Sequence, residues 1–285
     1  MNFFNISDLS TKDIINIIDD KNSNKILTDK NIGLLFEKQS TRTRLSFTVG
    51  ISNLGGNSID LRYEDLNYSR EESFEDTFSA MNCYLDGLIF RTNDHNKLIE
   101  ASSYFKKPII NALSDKSHPC QILSDLLTLK QHFGTLDLQI LWMGDMNNVL
   151  FSLTEAAILI EEIKLIICSP LAISQKKKWL LKSNISIVDS LKNVDLQSID
   201  CVMTDVFISM NDETNEEKIS LLMPYSVTSD LMSKTNSNSV FMHCLPAKLG
   251  YEVSKDVMKS PKSIVWKQAY NRMIAQNKLL KFIYQ

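Results

Sequence analysis

Between positions 36 and 47 the sequence crowds hydroxyl and guanidinium side chains, Ser40, Thr41, Arg42, Thr43 and Arg44, between an apolar run and a helical pattern. The first amide N–H groups of a helix lack partners inside it, and the helix dipole is positive at that end. Such a segment attracts an anion, which Arg42 would hold through a planar, charge-assisted fork. A phosphate suits it. An ordinary Ser/Thr helix cap with solvated arginines accounts for the same residues equally well.

A second group begins at His118, Pro119, Cys120 and Gln121, where another helical pattern opens. His118 and Gln121 are three positions apart, so both can face one spot and hydrogen-bond a polarised carbonyl or an amide. A His before a Pro is also a common structural cap. Arg91 directly follows the apolar run 87–90, at the carboxyl end of a predicted parallel strand, where open α/β sheets bind ligands. A surface arginine is the plainer alternative. Farther on, Gly144, Asp145, Asn147 and Asn148 follow a strand without the G-x-G-x-x-G spacing of a dinucleotide site, which excludes a nicotinamide cofactor; turn residues would look the same as amide ligands here. Asp205 with Ser209, and His243 with Cys244, sit at two further strand ends and put a carboxylate, a hydroxyl and a thiol on one rim, a mixture suited to a zwitterionic amino acid. Cys244 alone suggests a thiol nucleophile, although a cysteine packed as a small apolar group is commoner.

The elements that must position these residues alternate. Ser10 precedes apolar residues at Ile14, Ile15, Ile17 and Ile18, a capped opening helix. Short apolar runs at 32–36, 87–90 and 108–111 read as strands separated by helical segments such as 75–84. The second half repeats the pattern with runs at 139–143, 164–168, 185–188, 199–204 and 240–242, rich in Ile, Leu and Val as buried parallel strands are. Two α/β lobes follow. Gly134 ends the helical pattern around 123–132, so the expected division is a first domain over 1–133, a second over 134–265, and a terminal segment over 266–285.

Composition narrows the function classes. A chain of 285 residues with 44% hydrophobic content can bury two cores. Lys and Arg number 31 against 34 Asp and Glu, a formal charge of -3, so no basic excess argues for nucleic acid or an anionic membrane. The five cysteines are scattered and form no CxxC pair, which fits a reducing, cytoplasmic compartment. The apolar stretch 156–167 is broken by Glu161, Glu162 and Lys164, against a membrane-spanning helix.

Taken together, Ser40-Thr41-Arg42-Thr43-Arg44, His118-Pro119-Cys120-Gln121 and His243-Cys244-Leu245-Pro246-Ala247 resemble, in order and spacing, the three signature motifs of ornithine carbamoyltransferases, in the aspartate/ornithine transcarbamoylase family. The likeness runs from about residue 5 to residue 280. Aspartate-specific members usually read His-Pro-Leu-Pro at the third motif, so His243-Cys244-Leu245-Pro246 with Ser209-Met210 favours ornithine as acceptor. Departures from the pattern occur at Gln39, Met146, Asn211 and Lys248-Leu249.

The resemblance implies two doubly wound parallel-sheet α/β domains, with the active site in the interdomain cleft and a C-terminal helix returning to the first domain. It implies that Ser40, Thr41, Arg42 and Thr43 hold the phosphate of carbamoyl phosphate, with Arg91 and His118 at the carbonyl oxygen and Gln121 at the carbamoyl amide. Asn148, Asp205, Ser209 and Met210 would take the amino-acid end of L-ornithine. Cys244, Leu245 and Arg272 would border the attacking amine, Cys244 as a positioning residue. It further implies a homotrimer or multiple of trimers, with Asn67 reaching a neighbouring subunit, and no cofactor or metal. A transcarbamoylase for another amine, or a catalytically silent paralogue acting as a binding protein, are the alternative expectations.

Overall fold

The computed structural model describes residues 1–22, 24–66, 72–176, 182–208 and 215–285. The chain packs as two compact units: Met1–Leu127 joined by Tyr270–Gln285, and Thr128–Ala269. Both divisions fall inside helices. Gly134, with φ +77° and its N–H on the Lys130 carbonyl at 2.9 Å, ends a helix as its sequence context predicts, but a helix end and a packing boundary are different things.

In the first unit, helix α1 (Thr11–Asp19) starts on Ser10, whose hydroxyl accepts the Asp13 N–H at 3.2 Å while the Asp13 carboxylate accepts the Ser10 N–H at 3.1 Å. This reciprocal cap contributes about 1 kcal/mol and turns Ile14, Ile17 and Ile18 into the core. The chain then alternates through β1 (Asn31–Phe36), α2 (Thr41–Asn53), β2 (Asn57–Arg62), α3 (Phe74–Tyr84), β3 (Gly87–Arg91), α4 (His95–Tyr104), β4 (Ile109–Leu113) and α5 (Pro119–Phe133). The four strands form one parallel sheet in the order β2-β1-β3-β4. β1 and β3 are buried along almost their whole length, whereas edge strand β2 is mostly exposed.

The second unit continues with β5 (Gln139–Met143), α6 (Asn148–Leu159), β6 (Lys164–Cys168), α7 (Leu171–Ser174), β7 (Ile185–Val188), β8 (Cys201–Thr204), α8 (Glu216–Leu222), α9 (Ser229–Lys234), β9 (Val240–His243) and α10 (Lys255–Lys259). Its five strands are also all parallel, in the order β7-β6-β5-β8-β9. Long helix α11 (Val265–Tyr284) ends the chain.

The strand orders locate the ligand sites. From β1 the chain winds to β2 on one side and then to β3 on the other, so the connections leaving the carboxyl ends of β1 and β3 diverge and open a crevice; the same reversal occurs between β5 and β8. Phe36 is in register with Arg91, and Met143 with Thr204. The segments beginning at Glu37, Thr92, Gly144 and Asp205 therefore leave the sheets at the two switch points.

The last part of α11 is tied to the first unit by its polar ends. Lys278 Nζ donates to the Ile18 carbonyl at 2.6 Å, capping the C-terminus of α1, and Lys281 Nζ donates to the Asn22 carbonyl just beyond it. Tyr284 donates to the Asp86 carbonyl at 2.8 Å, and a side chain at Gly87 would occupy the space of that hydroxyl.

Candidate active site

At the first switch point Ser40 caps α2, accepting the Thr43 N–H on its hydroxyl at 3.3 Å. The amides of Thr41 and Arg42, which have no acceptor within the helix, remain at its open end, and the helix dipole adds positive potential there. Thr43 is buried, Arg42 half-buried and Thr41 exposed. Arg44 turns the other way: it lies over the Phe36 ring, 4.6 Å from its centroid, and pairs with Asp60.

Glu37 joins this segment to β3. Its N–H donates to the Arg91 carbonyl at 3.0 Å, and its carboxylate accepts from the Thr92 hydroxyl at 2.6 Å, the Asn93 N–H at 3.2 Å and Lys97 Nζ at 2.6 Å. Arg91, 5% exposed, is thereby fixed relative to the Ser40 turn.

His118, also 5% exposed, ends the loop before α5. Burial, followed by the charges of Arg272, Arg91 and Arg42, pushes its pKa well below the ordinary histidine value. Three guanidinium groups therefore act on one neutral imidazole, which can donate a hydrogen bond without adding a fourth positive charge. Gln121 is 1% exposed; its Oε1 accepts from Arg272 Nη1 and its Nε2 donates to Asp125 Oδ1 at 2.7 Å. Arg272 Nη2 also reaches the Thr43 hydroxyl at 3.4 Å. A carbonyl-type oxygen has two lone pairs, so Gln121 keeps one for a ligand N–H.

The buried imidazoles make a pH prediction for this unit. His95, whose Nδ1 lies 2.8 Å from the Ser114 hydroxyl, is also pushed below the ordinary value, chiefly by burial. Both histidines bind protons more weakly folded than unfolded, so their stabilising contribution is complete above the unfolded pKa of about 6.5 and is lost as pH falls toward the folded values. The urea midpoint should drop between pH 7.5 and 5.5, and His118→Gln should flatten that slope. A midpoint constant over this interval would refute the assignment.

At the second switch point Asn147 caps α6, its Oδ1 accepting the Val149 and Leu150 N–H groups, each at 3.1 Å. Its Nδ2 donates to Asp205 Oδ2 at 2.7 Å, while the Cys244 thiol donates to Asp205 Oδ1 at 3.0 Å. Asp205, 8% exposed, is thus held on both oxygens. Gly144 makes the turn possible: its φ of +109° disfavours any side chain, and a Cβ there would lie 3.0 Å from the Phe207 ring. Asn148 is half-buried in the first turn of α6, and Met146 is 1% exposed. Lys218 of α8 pairs with Asp145 at 2.9 Å. Leu245, half-buried after Cys244, adopts a left-handed φ of +59° and precedes a cis bond to Pro246.

Of the residues singled out in the sequence, Thr43, Gln121 and Arg272 are linked by hydrogen bonds, Arg42, Arg91 and Arg272 act electrostatically on His118, and Asp205 bonds Cys244. Asn67, Ser209 and Met210 lie outside the described residues. Glu37 is a positioning group that spacing does not reveal, because its partners Thr92 and Lys97 sit far away in the chain; Asp125 lies one helical turn from Gln121, and Asn147, one of the two strand-end amides, acts through Asp205. Cys120 and Cys168 are buried thiols, each pushed up to about 12 by desolvation, so neither offers a thiolate near neutral pH. Asp205, His243 and Cys244 bring an oxygen, a nitrogen and a sulfur within 4.8 Å of one another. A divalent ion there would have to displace the Cys244–Asp205 bond. Among the described residues no helix is long and apolar enough to cross a membrane.

Comparison with known proteins matches both units. Residues 2–131 match the family model "Aspartate/ornithine carbamoyltransferase, carbamoyl-P binding domain", and residues 136–283 match the "Asp/Orn binding domain" of the same family. The chain is 40% identical over 270 residues to an ornithine carbamoyltransferase of Methanosphaera stadtmanae, covering 92% of this chain and 89% of that one. Among solved structures it resembles an anabolic ornithine carbamoyltransferase of Campylobacter jejuni, with TM-score 0.89, 31% identity and 99% and 98% of the two chains covered. It also resembles the ornithine carbamoyltransferase of Pyrococcus furiosus, with TM-score 0.88, 31% identity and 99% and 96% covered.

Proposed function

Because the chain belongs to the aspartate/ornithine carbamoyltransferase family, we propose that it transfers the carbamoyl group of carbamoyl phosphate to the side-chain amine of L-ornithine, giving L-citrulline and phosphate. The observation that carries this reading is the hydrogen-bonded link from Thr43, in the first turn of α2, through Arg272 to Gln121, with the charges of Arg272, Arg91 and Arg42 all bearing on buried His118. That arrangement suits a dianionic phosphate attached to a carbonyl.

In this assignment Ser40, Thr41, Arg42 and Thr43 hold the phosphate, Arg91 and His118 donate to the carbonyl oxygen, and the free lone pair of Gln121 accepts from the carbamoyl amide. Asp205, with Asn148, Ser209 and Met210, takes the amino-acid end of ornithine, while Cys244, Leu245 and Arg272 border the reacting amine. The neutral amine attacks the carbonyl carbon, charge grows on the carbonyl oxygen, and the bond to the phosphate oxygen then breaks, so charge passes to the phosphate. Donors already fixed in place stabilise that developing charge without reorganising. The amine proton is released in the same sequence.

The decisive experiment measures citrulline formation with ornithine beside aspartate, acetylornithine, putrescine and diaminopropionate. Ornithine should be preferred. Its rate should climb from neutral to alkaline pH as the acceptor amine, with an ordinary pKa of about 10, loses its proton. Because buried Met146 belongs to the turn next to Asp205, where the family pattern has a glycine, a transcarbamoylase for another amine acceptor is the second reading; preference for a different amine would establish it. Carbamoyl phosphate binding without turnover of any amine would identify a silent binding protein.

Assembly as a homotrimer, or a multiple of trimers, belongs to the same reading. It is supported by exposed apolar residues Leu45 and Val49 on α2 and Ile59 on edge strand β2, which a monomer would leave wet. Asn67 is the proposed cross-subunit contact. A cytoplasmic location and a place in arginine metabolism complete the proposal.

A further inference from the structure

The second unit contains a buried histidine–carboxylate pair that the proposed reaction does not use. His243 ends β9 and Glu252 follows the turn after Pro246; both side chains are fully buried, with Nε2 of the histidine 3.3 Å from Glu252 Oε1. At that distance the carboxylate faces the ring nitrogen, although the two atoms are not aligned as a hydrogen bond. Glu252 Oε1 also accepts the Lys248 N–H, and Oε2 has no hydrogen-bond partner among the described residues. On the other side of the ring, Nδ1 accepts the Leu245 N–H at 2.9 Å. A ring nitrogen that accepts carries no proton, so the proton of the imidazole belongs on Nε2, facing the carboxylate.

The residue held by Nδ1 is the strained one. Leu245 has a left-handed φ of +59°, which a non-glycine residue keeps only where its surroundings over-determine it. Its conformation sets the direction in which the chain leaves Cys244, whose thiol reaches Asp205. A short chain of contacts therefore runs from Glu252 through the two nitrogens of His243 to Leu245, and from the adjoining Cys244 to the carboxylate proposed to take the acceptor. The His243 N–H, donating to Gln268 Oε1 at 2.9 Å, holds the imidazole's own backbone in place.

We propose that His243 and Glu252 are positioning residues for the amine acceptor: Glu252 holds His243 as its Nε2–H tautomer, which keeps Leu245 in its left-handed turn and Cys244 against Asp205. This rests on the reading that the second unit binds the acceptor. Neither residue touches a substrate.

The test uses the full-length protein. Substituting His243→Phe keeps a ring and removes the acceptor. It should raise the KM for ornithine about 10- to 100-fold, the size of loss seen when the partner that orients a metal ligand is removed, with the KM for carbamoyl phosphate unchanged. His243→Asn, whose Oδ1 can take the Leu245 N–H, should recover most of that loss. Equal losses in the two variants, or a parallel rise in both KM values, would overturn the proposal. Nitrogen-15 NMR of histidine-labelled protein gives a readout independent of turnover: His243 should show a protonated Nε2 and a bare Nδ1, and Glu252→Gln should shift that balance. A protonated Nδ1 in the unaltered protein overturns the inference, even if ornithine proves not to be the substrate. Loss of ornithine turnover in the unaltered protein, with the tautomer as described, would instead count against the substrate assignment alone.

Discussion

Arg42→Ala should lower kcat/KM for carbamoyl transfer by at least ~10³-fold while leaving the unliganded protein as stable as before. Removing one fixed donor to developing charge commonly costs about 100- to 1,000-fold, and Arg42 is placed to supply both a guanidinium fork and part of the potential around His118. Its stability effect runs the other way. Arg42, Arg91 and Arg272 each disfavour a charged His118, a sign of positive charge concentrated at one place. Deleting the half-buried member of the three relieves repulsion and opens little core. Carbamoyl phosphate at 100 times its Kd should stabilise the unaltered protein by about 2.7 kcal/mol, and this increment should vanish in the variant. Thermal unfolding with and without the ligand measures both quantities. A variant that melts early but retains the ligand-induced rise would make Arg42 structural.

Asp205→Asn should act on the other substrate. The carboxylate accepts from Asn147 on one oxygen and from Cys244 on the other, an arrangement that suits an ionised, acceptor-only group. An amide has one acceptor and one donor end. Whichever way it is turned, one neighbour loses its acceptor, at roughly 1–3 kcal/mol for a buried group, in addition to the lost attraction for an ammonium. The KM for ornithine should rise at least ~100-fold, with carbamoyl phosphate binding within about twofold of normal, since buried charge-assisted bonds are worth about twice neutral ones. Steady-state kinetics with each substrate varied in turn separates the effects. An equal loss for both substrates would remove Asp205 from the acceptor site.

Much of the architecture is legible in the chain because buried parallel strands write themselves as apolar runs. The runs at 32–36 and 139–143 correspond to β1 and β5, and Ser10 with Asp13 announces the cap of α1. Strand β2 escapes that reading. Asn57, Asp60 and Arg62 interrupt it because an edge strand needs only one neighbour and can face water. The site shows the same divide. Ser40 through Arg44 are contiguous and can be recognised, but Gln121 and Arg272 are 151 positions apart, and no spacing rule connects them. Asn147, beside the better-marked Asn148, proves to be the one that bonds Asp205, a distinction set by the side chain turned back at the helix cap.

Helix α11 has a consequence for the order in which the protein can be made. The first unit takes Arg272, Lys278, Lys281 and Tyr284 from Tyr270–Gln285, although its larger part, Met1–Leu127, is translated before the second unit. As the nascent chain emerges, Gln121 therefore lacks its arginine and the end of α1 its capping lysine throughout synthesis of the entire second unit. The first unit therefore cannot mature until the second has been made, so a ribosome that stalls before residue 272 leaves a chain without the guanidinium that joins Thr43 to Gln121.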